Sequence, residues 1–193
     1  VVWQTEHWDD IDPSVWIDTD GQAYMYWGNP HTYCIKLNED MVSTSGDIMV
    51  LDPRDGVMRP VQQEGARIDL KAFNDKQRQK WAFQHYQEGP WLWGRKNEQG
   101  QQKYYLAFAS TCCPEAIGYA MSDSPMGPWQ WVDYIMAPTE RTRGNHPGIC
   151  EYRGHSYCFG LNYDILRRET KEHSERRSVS GAEITYRPDG NIE

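Results

Sequence analysis

The stretch "EGPWLWGRKNEQGQQKYYLAFAS", residues 88–110, decides the fold. It opens on a carboxylate and a Gly-Pro turn, runs into a short aromatic strand, and turns at "NEQGQ". A second strand centred on tyrosines follows. The same plan occurs upstream in "DPSVWIDTDGQAYMYWGN" from Asp12 and downstream in "NHPGICEYRGHSYCFGLNY" from Asn145. Each unit continues into further strand-like segments: "TYCIKLN" and "DIMVLD", then "AIGYAMSD" and "WQWVDYIM", then "RSVSGAEITY". Period-two alternation, aromatic and β-branched enrichment, and Gly/Asp/Asn turns predict antiparallel hairpins.

Three such units, over residues 9–70, 85–137 and 144–193, predict an all-β fold. Its form is a β-propeller of four-stranded antiparallel blades, about three of them present. Closing a propeller ring takes about four blades or more, so three blades would leave apolar faces uncovered at both ends; either blades lie outside this chain or it pairs with another, and a fragment is the favoured expectation. The one helix candidate, "LKAFNDKQRQKWAFQHY" at 70–86, has some helical spacing but no evident cap.

Composition narrows the function. The 193 residues include nine Trp and twelve Tyr but only four Phe, a choice of rings with polar tips that suits sugar faces and half-buried sheets alike. A net charge of −8 argues against nucleic acid, and the basic stretch at 167–177 is interleaved with glutamates. No apolar run approaches the ~18 residues of a membrane span. The five cysteines show no metal spacing; Cys150 and Cys158 could face each other across a hairpin or remain free thiols, and Cys112-Cys113 are adjacent.

In a propeller the first strand of each blade lines the central funnel, so Asp12, Glu88 and Asn145-His146 would converge there. Paired carboxylates in one pocket are what glycoside hydrolysis requires. Partial desolvation of Glu88 beside Trp91 and Trp93 favours the neutral acid that a proton donor needs. An Asp before Pro also serves as a turn cap, and a Glu before Gly-Pro as a loop charge. A lectin-like propeller and a protein-binding propeller therefore stand beside the enzyme reading. Asp18 and Asp20 in "DTDG" read as hairpin turn residues.

The motifs "DIDPSVWIDTDGQAYMYWGN", "YQEGPWLWG…YYLAFAS", "AIGYAMSDSPMGPWQW" and "GNHPGICEYRGHSYCFG…RRSVSGAEITYRPDG" resemble glycoside hydrolase family 43 along essentially the whole chain. The resemblance implies a five-bladed propeller of the β-xylosidase and α-L-arabinofuranosidase type. It also implies inverting hydrolysis of pentose-containing oligo- or polysaccharides, with no cofactor required and a secreted or periplasmic setting. By the same resemblance Glu88 is the general acid and Asp12 its pKa modulator. His146 lies on the axis near a calcium or water site, and Arg177, with Arg176 as rival, reaches the sugar. Trp16, Trp27, Trp91 and Trp93 are candidates for stacking. The family's general base is an Asp far upstream of the modulator. No second "DPS" motif precedes Asp12, and Asp9 and Asp10 lie too close to replace it, so the base is expected outside this chain and the fragment alone is expected to be inactive. The alternative is a carbohydrate-binding propeller without catalysis.

Overall fold

The computed structural model describes residues 9–111, 114–138, 145–163, 168 and 178–193. Cys112, Cys113, Arg176 and Arg177 lie outside the described residues. The fold is an all-β propeller portion of three antiparallel sheets, each a simple meander in chain order. The first holds β1 (Ser14–Ile17), β2 (Ala23–Trp27), β3 (Tyr33–Leu37), β4 (Thr44–Asp52) and β5 (Val57–Pro60). β6 (Tyr86–Lys96), β7 (Gln102–Ser110), β8 (Ala116–Ser122) and β9 (Gln130–Met136) make the second, and β10 (Gly148–Tyr152), β11 (His155–Asn162) and β12 (Ser178–Ile184) the third.

Among the described residues, strand counts of five, four and three depart from a uniform four. The fifth strand arises because β4 ends in a tight turn, Gly56 N–H donating to Asp52 O, that sends β5 back along it. Only glycine fits there: a Cβ on Gly56, at φ +75°, would lie 2.0 Å from the Trp129 carbonyl oxygen.

β7 is buried on both faces, which explains why "KYYLAFAS" reads as a nearly unbroken apolar run. Tyr104, Leu106 and Phe108 face the first sheet and pack with Tyr24, Tyr26, Cys34 and Leu51. Tyr105 and Ala107 face the third and pack with Ile149, Cys158 and Ile184. Period-two alternation thus divides one strand between two cores. Phe108 is fully buried, and truncating it to alanine should cost about 3–5 kcal/mol.

The connection between the first two sheets is not the long helix that residues 70–86 suggested. A 3₁₀ turn at Leu70–Ala72 is followed by one α turn, α1 (Asp75–Arg78), and the chain then bends into β6. A cap is present after all: the Asn74 side chain accepts from Gln77 N–H while the Gln77 side chain accepts from Asn74 N–H. Phe83 ends the helix early because it turns inward, onto Tyr86 and Phe108.

The turn at 18–21 forms as its residues predict, with Gly21 N–H donating to Asp18 O and Gln22 N–H to the Asp20 carboxylate. Across the third hairpin Cys158 pairs with Ile149 and Cys150 with Tyr157. The two thiols therefore point to opposite faces, Cys158 buried and Cys150 exposed, both free.

Candidate functional site

The first strands of the three sheets lie side by side, β1 and β10 each against β6. Asp12 stands two residues before β1, Glu88 lies within β6, and His146 stands two residues before β10. One donor atom from each falls within 4.8 Å of the others. Sequence positions spread over much of the chain are thus gathered at one point.

Local structure aims each side chain. Register shifts flank Glu88 in β6, between Tyr86 and Glu88 and again between Glu88 and Trp91, and bulges of this kind redirect a strand's side chains. Gly89, at φ +62°, lets the His146 ring pack against the backbone; a Cβ there would lie 2.8 Å from Nδ1. Asp12 takes a left-handed conformation, φ 57°, just before Pro13. His146 is set by its neighbour Asn145, which is fully buried. Asn145 donates its backbone N–H to Glu115 Oε2 at 2.6 Å and accepts from Leu161 N–H at 2.8 Å. In the "NHPG" motif Asn145 is the post and His146 the presented group.

Both oxygens of Glu88 are held. Asn29 Nδ2 donates to Oε2 at 2.5 Å, and His146 Nε2 lies 2.9 Å from Oε1. His146 Nδ1 turns toward Asp12 Oδ2 at 3.9 Å, beyond hydrogen-bond reach, so that buried oxygen has no hydrogen-bond partner among the described residues. Burial pushes the Asp12 carboxyl above the usual aspartate range; His146 opposes this and the Glu88 charge adds to it.

Asn29 was not singled out in the sequence, where it simply closes "YWGN". The only available hint was its place at the end of a funnel-side hairpin. Its backbone N–H bonds Asp9 O, and that loop is pinned by the buried Asp9 carboxylate, which accepts from Tyr33 Oη and Arg67 Nη2. Asp10 accepts from Trp27 Nε1 at 2.8 Å.

The tryptophans divide. Trp91 is 37% exposed on β6. Trp27, a stacking candidate by sequence, is 3% exposed and stacked on Tyr33, so its faces belong to the core. Trp93 is likewise buried, stacked on Tyr105. Trp16 is half-buried between the two inter-sheet cores, its indole N–H without a hydrogen-bond partner among the described residues.

Calcium takes about six to eight oxygen ligands. This cluster offers two carboxylates and an imidazole nitrogen, with both Glu88 oxygens already engaged. Among the described residues this cluster supplies too few oxygens to cage calcium by itself, so an ion there would draw most of its ligands from water.

The sequence profile of "Glycosyl hydrolases family 43" matches residues 2–192. The chain belongs to this family. A "Xylosidase/arabinosidase" of Bacteroides ovatus is 25% identical, over 94% of this chain and 56% of its own. Among solved structures, an α-L-arabinofuranosidase from Clostridium thermocellum superposes with a TM-score of 0.65 at 27% identity, covering 94% of this chain and 51% of that one. A family 43 β-xylosidase/α-arabinofuranosidase from a compost metagenome, in complex with xylotriose and in a calcium-free form, superposes at 0.70 with 21% identity, over 95% and 57% of the two chains. The chain therefore spans about half the length of the relatives it matches.

Proposed function

We propose that the complete protein hydrolyses glycosidic bonds of pentose-containing oligo- or polysaccharides, xylosides or arabinofuranosides, with inversion, and that Glu88 is its general acid. The observation that carries this reading is the doubly held Glu88 carboxyl beside Asp12 at the meeting point of the first strands. A fixed carboxylic acid can protonate the glycosidic oxygen as the bond breaks.

Asp12 is too close to be the partner base. An inverting pair stands about 6.5–9.5 Å apart to admit water, whereas the Asp12 and Glu88 oxygens lie within 4.8 Å. In this reading Asp12 acts on Glu88 through its charge, and a third carboxylate outside residues 1–193 activates the water. Asp9 and Asp10 are engaged by Arg67, Tyr33 and Trp27. Carboxylate chemistry of this kind needs no cofactor. Trp91 is the exposed ring available to the sugar, and Arg177 remains the proposed sugar-binding cation.

The test is turnover of xylobiose and arabinobiose by the complete protein and its Glu88→Gln variant, with product anomers followed by NMR. Loss of about 10²–10⁴-fold in kcat and an inverted product are expected. Unchanged turnover in Glu88→Gln removes the acid from its role. A retained anomer makes Asp12 a nucleophile instead. Sugar binding by a complete protein that hydrolyses neither substrate supports the non-catalytic propeller.

A further inference from the structure

Its own sheet fixes little of the β6 segment that carries Glu88. Register shifts lie on both sides of Glu88, and Gln87, Gly89 and Pro90 take no partner in the pairing with β7 among the described residues. Pro90 also has no N–H to give. A bulged segment forfeits ladder bonds, so other contacts must set where its side chains point. Two hydroxyl bonds to the first sheet supply them, one on each side of Glu88. Tyr86 Oη donates to Gly28 O at 2.5 Å, and Ser14 Oγ donates to Pro90 O at 2.6 Å.

The Tyr86 bond has the longer reach. Gly28 N–H donates to Ile11 O at 3.0 Å, next to Asp12, and Asn29 Nδ2 donates to Glu88 Oε2 at 2.5 Å. The Gly28-Asn29 pair thus stands between the two carboxylates, and Tyr86 fastens it to β6 two residues before the acid. A closed circuit runs from Tyr86 to Gly28, Asn29 and Glu88 and back along β6. On the reading that Glu88 is the general acid, we propose that Tyr86 is a positioning residue for it: the Tyr86 hydroxyl holds Gly28-Asn29 so that the Asn29 amide fixes the Glu88 carboxyl.

Packing sets the Tyr86 ring before its hydroxyl acts. The ring lies against the buried Phe83 and Phe108, with centroids 5.8 and 5.3 Å away. Burial pushes the phenol well above its ordinary value, so it stays protonated and remains a donor to the Gly28 carbonyl. The inward turn of Phe83 that ends the helix early therefore also seats the residue that braces the acid. A misplacement of about 1 Å at the reacting groups can cost a hundred-fold in rate, so a small release of Asn29 is enough to be measured.

The test sets phenyl against dinitrophenyl β-D-xyloside in the complete protein or, if it releases arabinose, the same pair of α-L-arabinofuranosides. Dinitrophenolate departs without a proton whereas phenolate needs one, so the ratio of the two kcat/KM values isolates the acid. Tyr86→Phe removes the hydroxyl and keeps the ring, and should lower the phenyl-to-dinitrophenyl ratio about five-fold. The ratio does not depend on how much of a variant is folded, so a destabilised Tyr86→Phe still reports. Asn29→Ala should lower it about ten-fold, and adding Tyr86→Phe to Asn29→Ala should lower it by less than two-fold more, because the route is already cut. A ratio unchanged within two-fold in Tyr86→Phe, or a further loss of two-fold or more in the Asn29→Ala background, overturns the proposal. Failure of the Glu88 reading has a different signature, since Glu88→Gln would then keep the parent's ratio.

Discussion

Asp9 and Asp12 sit three residues apart in one loop, yet their surroundings are opposite. The Asp9 carboxylate is buried and receives the Tyr33 hydroxyl at 2.6 Å and Arg67 Nη2 at 2.5 Å, with His31 Nδ1 at 3.3 Å. Burial pushes its carboxyl up, but Tyr33, Arg67 and His31 together hold it below the usual range. Asp12 has one buried oxygen with no hydrogen bond among the described residues and is pushed the other way. A satisfied carboxylate anchors the loop, while an unsatisfied one is a charge poised to act on its neighbour. The contrast separates scaffold from chemistry within four residues.

Four measurements would break or sharpen that contrast. The largest effect should come from Asp9→Asn, which leaves Arg67 without its anion and should cost about 3 kcal/mol in denaturant unfolding. A loss no larger than that of Asp12→Asn would erase the distinction. Asp12→Asn should instead act on rate, lowering kcat of the complete protein about a hundred-fold with the fold intact. Asn29→Ala comes next. It removes one of the two bonds to Glu88 and should lower kcat about ten-fold, with KM little changed. Equal changes in kcat and KM would show that Asn29 serves binding rather than placement of the acid.

The smallest effect is the pH dependence of stability. Asp9, lowered in the folded state, contributes stability that is present above the unfolded aspartate value, near 3.9, and is lost as pH falls through its folded value. Asp12, raised in the folded state, contributes stability that is present below that value and is lost as pH rises through its folded value. Urea midpoints from pH 3 to 7 should therefore show the parent gaining on Asp9→Asn with rising pH and losing ground to Asp12→Asn. Parallel curves would contradict the opposed shifts.

The strands were legible because their signals are local. "KYYLAFAS" and "AYMYWG" carry their own alternation, and "DTDG" its own turn. The short connection at 70–86 misled because helical spacing was visible in the sequence but the inward pull of Phe83 on Tyr86 and Phe108 was not. Trp27 misled for a related reason: an aromatic at a strand end looks the same whether its face meets a sugar or Tyr33.

By itself the sequence determined an all-β propeller portion of family 43, with Glu88, Asp12 and His146 at matching places in repeating units. Repetition and motif are carried by the order of residues alone. Only the tertiary structure decided who holds whom. Asn29 reaches Glu88 across 59 residues, Arg67 reaches Asp9 across 58, and one buried Asp12 oxygen has no hydrogen-bond partner among the described residues. Hydrogen-bond partners and desolvation depend on which side chains packing brings within about 3 Å, and chain order does not contain that distance.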